Sequence, residues 1–184
     1  MIIDTAMKRF LISGYDVVTV DELCDLTSST KGSFYHFFEN KESLAVDVVN
    51  HVWHQTQAEM QEIFTADQSA GAKLDLEVDR IASSYLRFDG KRFFIGCPIG
   101  TLALGLRGKS PRLSRRLSFA LTHMHQYYLD AFSELEGSGT GESRARARAD
   151  QFQVSLQGLS TLGKAARSSA RIRELARQLQ SSVR

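Results

Sequence analysis

Proline is scarce in this sequence: Pro98 and Pro111 are the only two in 184 residues, which leaves room for long uninterrupted helices. Cysteine is equally scarce. Cys24 and Cys97 are two thiols expected in a reducing, cytoplasmic setting, so each is judged singly rather than as half of a structural disulfide. Long apolar runs are missing as well. The longest uncharged stretch, FFIGCPIGTLALGL from Phe93 to Leu106, is shorter than a bilayer-spanning helix and contains three glycines, a proline and a threonine. Asp4, Lys8 and Arg9 come too early for the apolar region of a signal peptide, so a cytoplasmic protein with no membrane partner is expected.

Recognisable catalytic machinery is also absent. His51 and His54 lie three apart and His123 and His125 are close in sequence, but no carboxylate or cysteine completes a metal-ligand spacing. There is no nucleophile elbow and no phosphate-binding loop, so neither an enzymatic activity nor a cofactor is expected. A metal-binding helical enzyme and a protein-interaction module without DNA affinity are the rival classes.

What remains is a globular composition, with 42% hydrophobic and 24% charged residues. The net charge of +2 is unevenly divided. Residues 1–50 hold four Lys and Arg against eight Asp and Glu, a balance of −4, which leaves +6 for the remainder.

Helical spacing dominates the chain. Ile2, Ile3, Ala6, Phe10 and Leu11 predict a first helix from about Ile2 to Ser13, stopped by Gly14. Thr19-Val-Asp-Glu22 fits a capping box that opens a short helix over about 20–26. The polar link Thr27 to Thr30 follows, then a third short helix from near Thr30. Asn40 can cap a long fourth helix whose apolar face, Leu44, Val48, Val49, Val52 and Trp53, continues to about Phe64. Two short helices bracketed by longer ones form a helix-turn-helix pattern.

After a polar break at 65–71, helical patterning is expected from Leu74 to Phe88, ending at Asp89-Gly90. Cys97-Pro98 and Ser110-Pro111 each open a further helix, the second running to about Leu135. GSGTG, residues 137–141, reads as a flexible connection ahead of two last helices carrying Phe152, Leu156, Leu159 and then Ile172, Leu175, Ala176, Leu179. RARARA, residues 144–149, reads as a solvated helix face. The expected fold is therefore all-α with about nine helices: a three-helix helix-turn-helix domain over 1–46 and a larger helical ligand-binding and dimerisation domain over 47–184.

Within TKGSFYHFFENKES, a helix places Phe34, Phe37 and Phe38 on one side, where they can pack into a core, and leaves Tyr35 and His36 on another. Thr30, Lys31, Gly32 and Ser33 sit at its N-terminus, where free backbone N–H groups favour a phosphate or a base edge.

The run from about residue 2 to 53 resembles the N-terminal domain of TetR-family transcriptional regulators. The likeness is carried by F-x-x-x-GY (Phe10 to Tyr15), TVDEL (Thr19 to Leu23) and KGSFYHFFENKESL (Lys31 to Leu44). It implies that Thr19 and Tyr35 hold DNA phosphates, that Thr30, Lys31, Gly32, Ser33 and His36 face the major groove, and that Lys41 clamps the backbone at the start of the fourth helix. The family pattern has a glycine and an aliphatic residue in the turn, where this chain has Ser28 and Ser29. It also has a basic arm before the first helix, which is not seen here, so marked salt sensitivity or modest affinity is expected.

The same resemblance implies a two-fold dimer on a palindromic double-stranded operator. The last two long helices would form the seam, with Leu156, Leu159, Leu162, Ile172, Leu175 and Leu179 as candidates for either that interface or the internal core. It also implies a small-molecule effector pocket, for which Trp53, Tyr85, Phe94, Tyr127, Tyr128, Phe132 and Phe152 are candidate walls. Cys97, at a predicted helix start, is placed where the helix dipole favours a thiolate. GCPIGTLALGL resembles a segment in one subset of these regulators that includes sensors of electrophiles and oxidants. In those sensors the cysteine works with a lysine late in the following long helix, and LSTLGKAARS, with Lys164, resembles the segment carrying it. Cys24 reads as core packing.

Overall fold

The computed structural model describes residues 1–106, 108–137, 141–166 and 168–183. Among them are nine helices and one hairpin: α1 (Ile2–Ser13), α2 (Val20–Leu26), α3 (Lys31–Phe37), α4 (Lys41–Phe64), α5 (Ala70–Ala82), β1 (Tyr85–Phe88), β2 (Lys91–Phe94), α6 (Pro98–Leu106), α7 (Pro111–Glu136), α8 (Gly141–Ala165) and α9 (Ser169–Val183). The expected all-α class holds. Of the GSGTG connection, residues 138–140 lie outside the described residues. No helix among the described residues is long and apolar enough to cross a membrane.

One expectation fails locally. The helix predicted through Phe88 stops at Ala82, and Tyr85–Phe88 pairs with Lys91–Phe94 as a two-stranded sheet. Asp89 (φ 49°) and Gly90 (φ 68°) are both left-handed, as a two-residue type I′ hairpin turn requires, so Asp-Gly joins two strands here rather than ending a helix. Ile95 N–H donates to Ser84 O at 2.9 Å and closes the hairpin's open end.

The residues group into two compact units. Unit 1 comprises Met1–Thr56, Leu86–Phe93 and Pro98–Ala120; unit 2 comprises Gln57–Tyr85, Phe94–Cys97 and Leu121–Arg184. Unit 1 thus contains the helix-turn-helix segment together with α6, most of the hairpin and the front of α7.

In unit 1 the core is built from Ala6, Phe10 and Leu11 of α1, Leu23 and Cys24 of α2, Phe34 and Phe38, and Leu44, Val48, Val49 and Val52 of α4, all buried. Thr19 and Thr30 cap α2 and α3, accepting from the N–H groups of Glu22 and Ser33, each at 3.1 Å. Only half of the expected capping box forms, because the Glu22 carboxylate instead accepts from Arg9 Nε at 2.5 Å and so ties α2 to α1. Asn40 caps α4 as expected, its Oδ1 accepting from Ser43 N–H at 2.9 Å.

The turn between α2 and α3 follows the Schellman pattern: Ser29 N–H donates to Cys24 O at 2.9 Å and Ser28 N–H to Asp25 O at 3.3 Å. Ser28 takes the left-handed position (φ 51°) where a glycine would be unstrained, and Ser29 stands where such turns usually place an apolar residue. The Thr27 hydroxyl, bonded to Leu23 O at 2.7 Å and to Ser29 Oγ at 3.0 Å, supplies a polar closure instead.

In unit 2, α5, α8 and α9 pack against one another. Leu74, Val78, Ile81, Phe152, Leu156, Leu159, Ile172 and Ala176 are buried. The RARARA run is only partly a solvated face, since Ala145 and Ala149, one turn apart, are fully buried and Arg148 lies 4.7 Å from the Phe132 ring centroid and binds Glu136 at 2.5 Å. At the centre of the unit is a buried acid, Glu77. Arg80 grips it with two bonds of 2.7 and 2.9 Å, and the Tyr128 hydroxyl donates to it at 2.8 Å. Arg80 also reaches Glu59 at 2.9 Å. Burial works to lower the Arg80 pKa, but the hydrogen bond and charge of Glu77 outweigh it and raise the value. The Tyr128 phenol is raised by burial and then by Glu77.

Two stability measurements test this account. Ser28→Gly removes a left-handed penalty of about 1–2 kcal/mol against an entropic cost of about 0.5–1 kcal/mol, so a net gain of roughly 0.5–1 kcal/mol is expected in urea unfolding. A loss of stability would contradict the strained-turn reading. Arg80→Met leaves Glu77 buried without its bidentate partner and is expected to cost about 3–5 kcal/mol. An effect within experimental error of zero would show that the pair does not matter to the unit.

Candidate functional site

Of the residues singled out in the opening helix-turn-helix of unit 1, all but Lys41 are exposed. Thr19, Thr30, Lys31, Gly32, Ser33, Tyr35 and His36 are all exposed, while Phe34 is 1% exposed. Tyr35 stands edge-on to Phe34 with ring centroids 5.2 Å apart, which orients the phenol outward from a fixed base. Phe37 departs from its expected place in the core: it is 73% exposed. The helix ends at Phe37, and Phe38 turns into extended backbone (φ −130°, ψ 118°), which brings its ring within 5.3 Å of Phe34 and completes the anchor without Phe37.

The two lysines differ in their surroundings. Lys31 Nζ lies 2.9 Å from Asp21 Oδ1 across the α2–α3 turn, fully at the surface, and that hydrogen bond raises its pKa. Lys41 is half-buried: its Nζ donates to Tyr15 O at 2.6 Å and sits 4.1 Å from the Tyr15 ring centroid. Burial lowers its pKa, with Asp16 opposing. Asp21 and Tyr15, which hold these ammonium groups in place, are contacts that the sequence did not announce.

In unit 2 the end of the hairpin docks on one turn of α8. Cys97 N–H donates to Ser160 Oγ at 2.9 Å, and Ser160 Oγ donates to Leu156 O at 2.8 Å. Lys164 follows Ser160 by one helical turn, on the same face. Gly96 (φ 67°) lies so near Ser160 that a Cβ there would overlap its side chain, and a Cβ on Gly163 would overlap the Phe94 ring. Both glycines are therefore needed for this close approach. Cys97 is 1% exposed. Desolvation lowers the Lys164 pKa while Cys97 acts to raise it, so the two groups feel one another electrostatically. Ser160 and Gly163 lie inside LSTLGKAARS, but helical spacing alone could not mark them as the seat of the Cys97 segment.

The expected aromatic walls separate into three groups. Trp53 pairs edge-on with Phe119 in unit 1, at 6.2 Å between centroids. Tyr85 and Phe94 pair at 5.3 Å beside Gly163. Tyr127, Tyr128, Phe132 and Phe152 join Phe64 in a cluster with neighbouring centroids 5.1–6.0 Å apart. A small recess of about 50 Å³ adjoins Phe132, Phe152, Arg148 and Leu179, and a second of about 410 Å³ lies over Asp79, Ala82, Arg173 and Ala176. Of the expected walls only Phe132 and Phe152 touch either. Among the described residues no group of three or more His, Cys, Asp or Glu is placed to hold a metal ion.

Comparison with known proteins gives a consistent result. Residues 2–48 match the model described as bacterial regulatory proteins, tetR family, and residues 78–178 match the C-terminal domain of LmrA/YxaF-like transcriptional regulators. An uncharacterised HTH-type transcriptional regulator in the lacX 3′ region of Lactococcus lactis subsp. lactis is 26% identical over 135 residues, 72% of this chain and 67% of that protein. The YxaF regulator of Bacillus subtilis (strain 168) is 29% identical over 55% of this chain, and the match spans about half (52%) of its own length. In fold, a TetR transcriptional regulator from Legionella pneumophila superposes with a TM-score of 0.83 at 15% identity, covering 100% of this chain and 95% of that one. The reduced form of E. coli NemR superposes at 0.77 with 17% identity, covering 100% and 93%. With a capped helix-turn-helix in unit 1 and both family models matched along its length, the chain belongs to the TetR family of bacterial transcriptional regulators.

Proposed function

We propose that this protein is a homodimeric repressor that binds a palindromic operator through α3 and releases it when a small-molecule effector, or modification of Cys97, acts on unit 2. The observation that carries this reading is the division of α3: Phe34 and Phe38 are buried, and Lys31, Tyr35 and His36 are exposed together. In this reading Thr30, Lys31, Gly32, Ser33 and His36 face the major groove, and Thr19 and Tyr35 hold phosphates. Lys31 gives up Asp21 for DNA at little cost because that pair is fully exposed, whereas Lys41 reaches a phosphate only by exchanging the Tyr15 carbonyl for it.

One recognition helix reads few base pairs, so a second copy supplies the other half-site. Leu156, Leu159 and Ile172 are occupied in the unit 2 core, and Leu175 and Leu179 are half-buried. The proposed seam on α8 is instead the stripe Val154, Gly158 and Leu162, spaced one turn apart, with Val154 71% and Leu162 55% exposed and open space over Gly158.

The effector reading rests on Cys97 beside Lys164. Electrophilic capture of the sulfur, with loss of the thiol proton, would place new bulk against the Ser160–Lys164 turn. An effector shifts the protein between states only through its differential affinity for them.

Selection of bound DNA from genomic fragments, with and without a thiol-reactive compound, tests the whole reading; recovery of a palindromic site that is lost with the compound is the expected outcome. Lys31→Ala and Tyr35→Ala should each weaken binding to that site by about 1–3 kcal/mol while leaving the dimer intact in sedimentation. Unchanged affinity in both would sink the α3 assignment. Cys97→Ser should retain operator binding and lose release by the electrophile; undiminished release would remove Cys97 from the mechanism.

A further inference from the structure

Residues 1–50 have the wrong overall sign for an anionic partner, with four cations against eight acids. The balance changes when the segments that fold with them are counted. Unit 1 also takes in residues 86–93, with three cations and one acid, and residues 98–120, with five cations and no acid; residues 51–56 carry neither, so the unit is +3 overall.

Four of these cations are concentrated where α6 gives way to α7: Lys109, Arg112, Arg115 and Arg116. The cluster begins beside the start of α4. Lys109 Nζ lies 2.7 Å from Asp16 Oδ1, and a Cβ on Gly105 of α6 would stand 4.0 Å from the backbone nitrogen of Tyr15. Tyr15 is the residue whose carbonyl and ring hold Lys41. Arg112, Arg115 and Arg116 are exposed and, at spacings of three and four, share one side of α7. Among the described residues none of the three makes an ion pair.

Their position is electrostatically costly in the free protein. The first turn of α7 has no acidic residue and carries Arg112 against the sign that the helix dipole favours, while Arg115 and Arg116, one turn on along the same side, add like-charge repulsion. An anionic polymer laid along that side would relieve both repulsions at once. The continuity with Lys41 favours duplex DNA over an acidic protein or a lipid surface.

We propose that Lys109, Arg112, Arg115 and Arg116 form a second, sequence-independent surface for DNA phosphates, continuing from Lys41 beyond the base pairs read by α3. This rests on the DNA-binding reading above. It accounts for how a helix-turn-helix segment of net negative charge is carried to DNA: the cations come from a segment distant in sequence that folds into the same unit.

Phosphate contacts need no particular sequence, so a fluorescein-labelled mixed-sequence duplex several helical turns long is a sufficient probe, read by anisotropy across a salt series. The Arg112→Ala/Arg115→Ala/Arg116→Ala variant is expected to bind more weakly at low salt and to flatten the slope of log K against log salt by about 0.9 for each phosphate contact removed. Arg112→Lys/Arg115→Lys/Arg116→Lys should keep the slope, which separates lost contacts from damage to α7. Lys73→Ala/Arg146→Ala/Arg173→Ala, an equal charge loss in unit 2, should leave the slope unchanged. If the arginine-to-alanine variant keeps the wild-type slope, or the unit 2 control flattens it equally, the surface is overturned while the α3 reading stands. If the wild-type protein binds no DNA at any salt, both readings fall together.

Discussion

Two helices of seven residues are too short to persist in water alone, since isolated helices below about 12–15 residues are marginal. Everything on the exposed side of the helix-turn-helix therefore depends on what is buried beneath it. Leu23 and Cys24 anchor α2, and Phe34 with Phe38 anchors α3, in a core shared with Phe10 of α1 and Leu44 and Val48 of α4. Once Phe34 is fixed, the helical period leaves Tyr35 and His36 no choice but to point outward. The phenylalanines thus decide where Tyr35 and His36 stand, while Thr30 fixes the start of α3 as its cap.

Cations in unit 1 are held by internal partners before any ligand arrives. Lys31 is on Asp21, Lys41 on the Tyr15 carbonyl and ring, and Lys109 on Asp16. Under the proposed function, DNA binding is then an exchange of partners rather than a capture by free charges, and each exchange returns less free energy than a bare contact would. The arginines of α7 differ because no such exchange is needed there. Under the two proposals, that asymmetry would give the surfaces distinct roles, with α3 selecting and α7 adding attraction.

Much of the fold was legible because its signals are local. Thr19, Thr30 and Asn40 act as caps, Gly14 stops α1, and Pro98 and Pro111 open α6 and α7, as their chemistry dictates. The hairpin is hidden in the sequence because Tyr85 and Phe88 continue the helical spacing of α5, and the Asp-Gly pair suits a helix stop as well as a type I′ turn. Phe37 escapes the core that helical period predicts for it because α3 ends there and Phe38 leaves that period. The contacts of Glu22 with Arg9, Lys41 with Tyr15 and Cys97 with Ser160 join residues distant in sequence, and no spacing rule reaches them.

The surroundings of Cys97 follow from such long-range contacts. Its segment is seated by two close approaches, Gly96 on Ser160 and Phe94 on Gly163, so the sulfur is carried by a backbone that has little room to move. A negative charge at this one sulfur would act to raise the pKa of Lys164 on α8, after the burial that lowers it, and would add a smaller contribution in the same direction at Arg80 on α5 and Tyr128 on α7, where burial and Glu77 dominate. Arg80 and Tyr128 are also the partners of the buried Glu77. A charge appearing or disappearing at the sulfur would therefore act on three helices at once, through a network whose hydrogen bonds are already in use. Close-packed interiors do not absorb such a change by gradual deformation; they exchange one set of partners for another. Under the proposed function, that is the physical requirement for a chemical event at a single buried atom to alter the state of unit 2 as a whole.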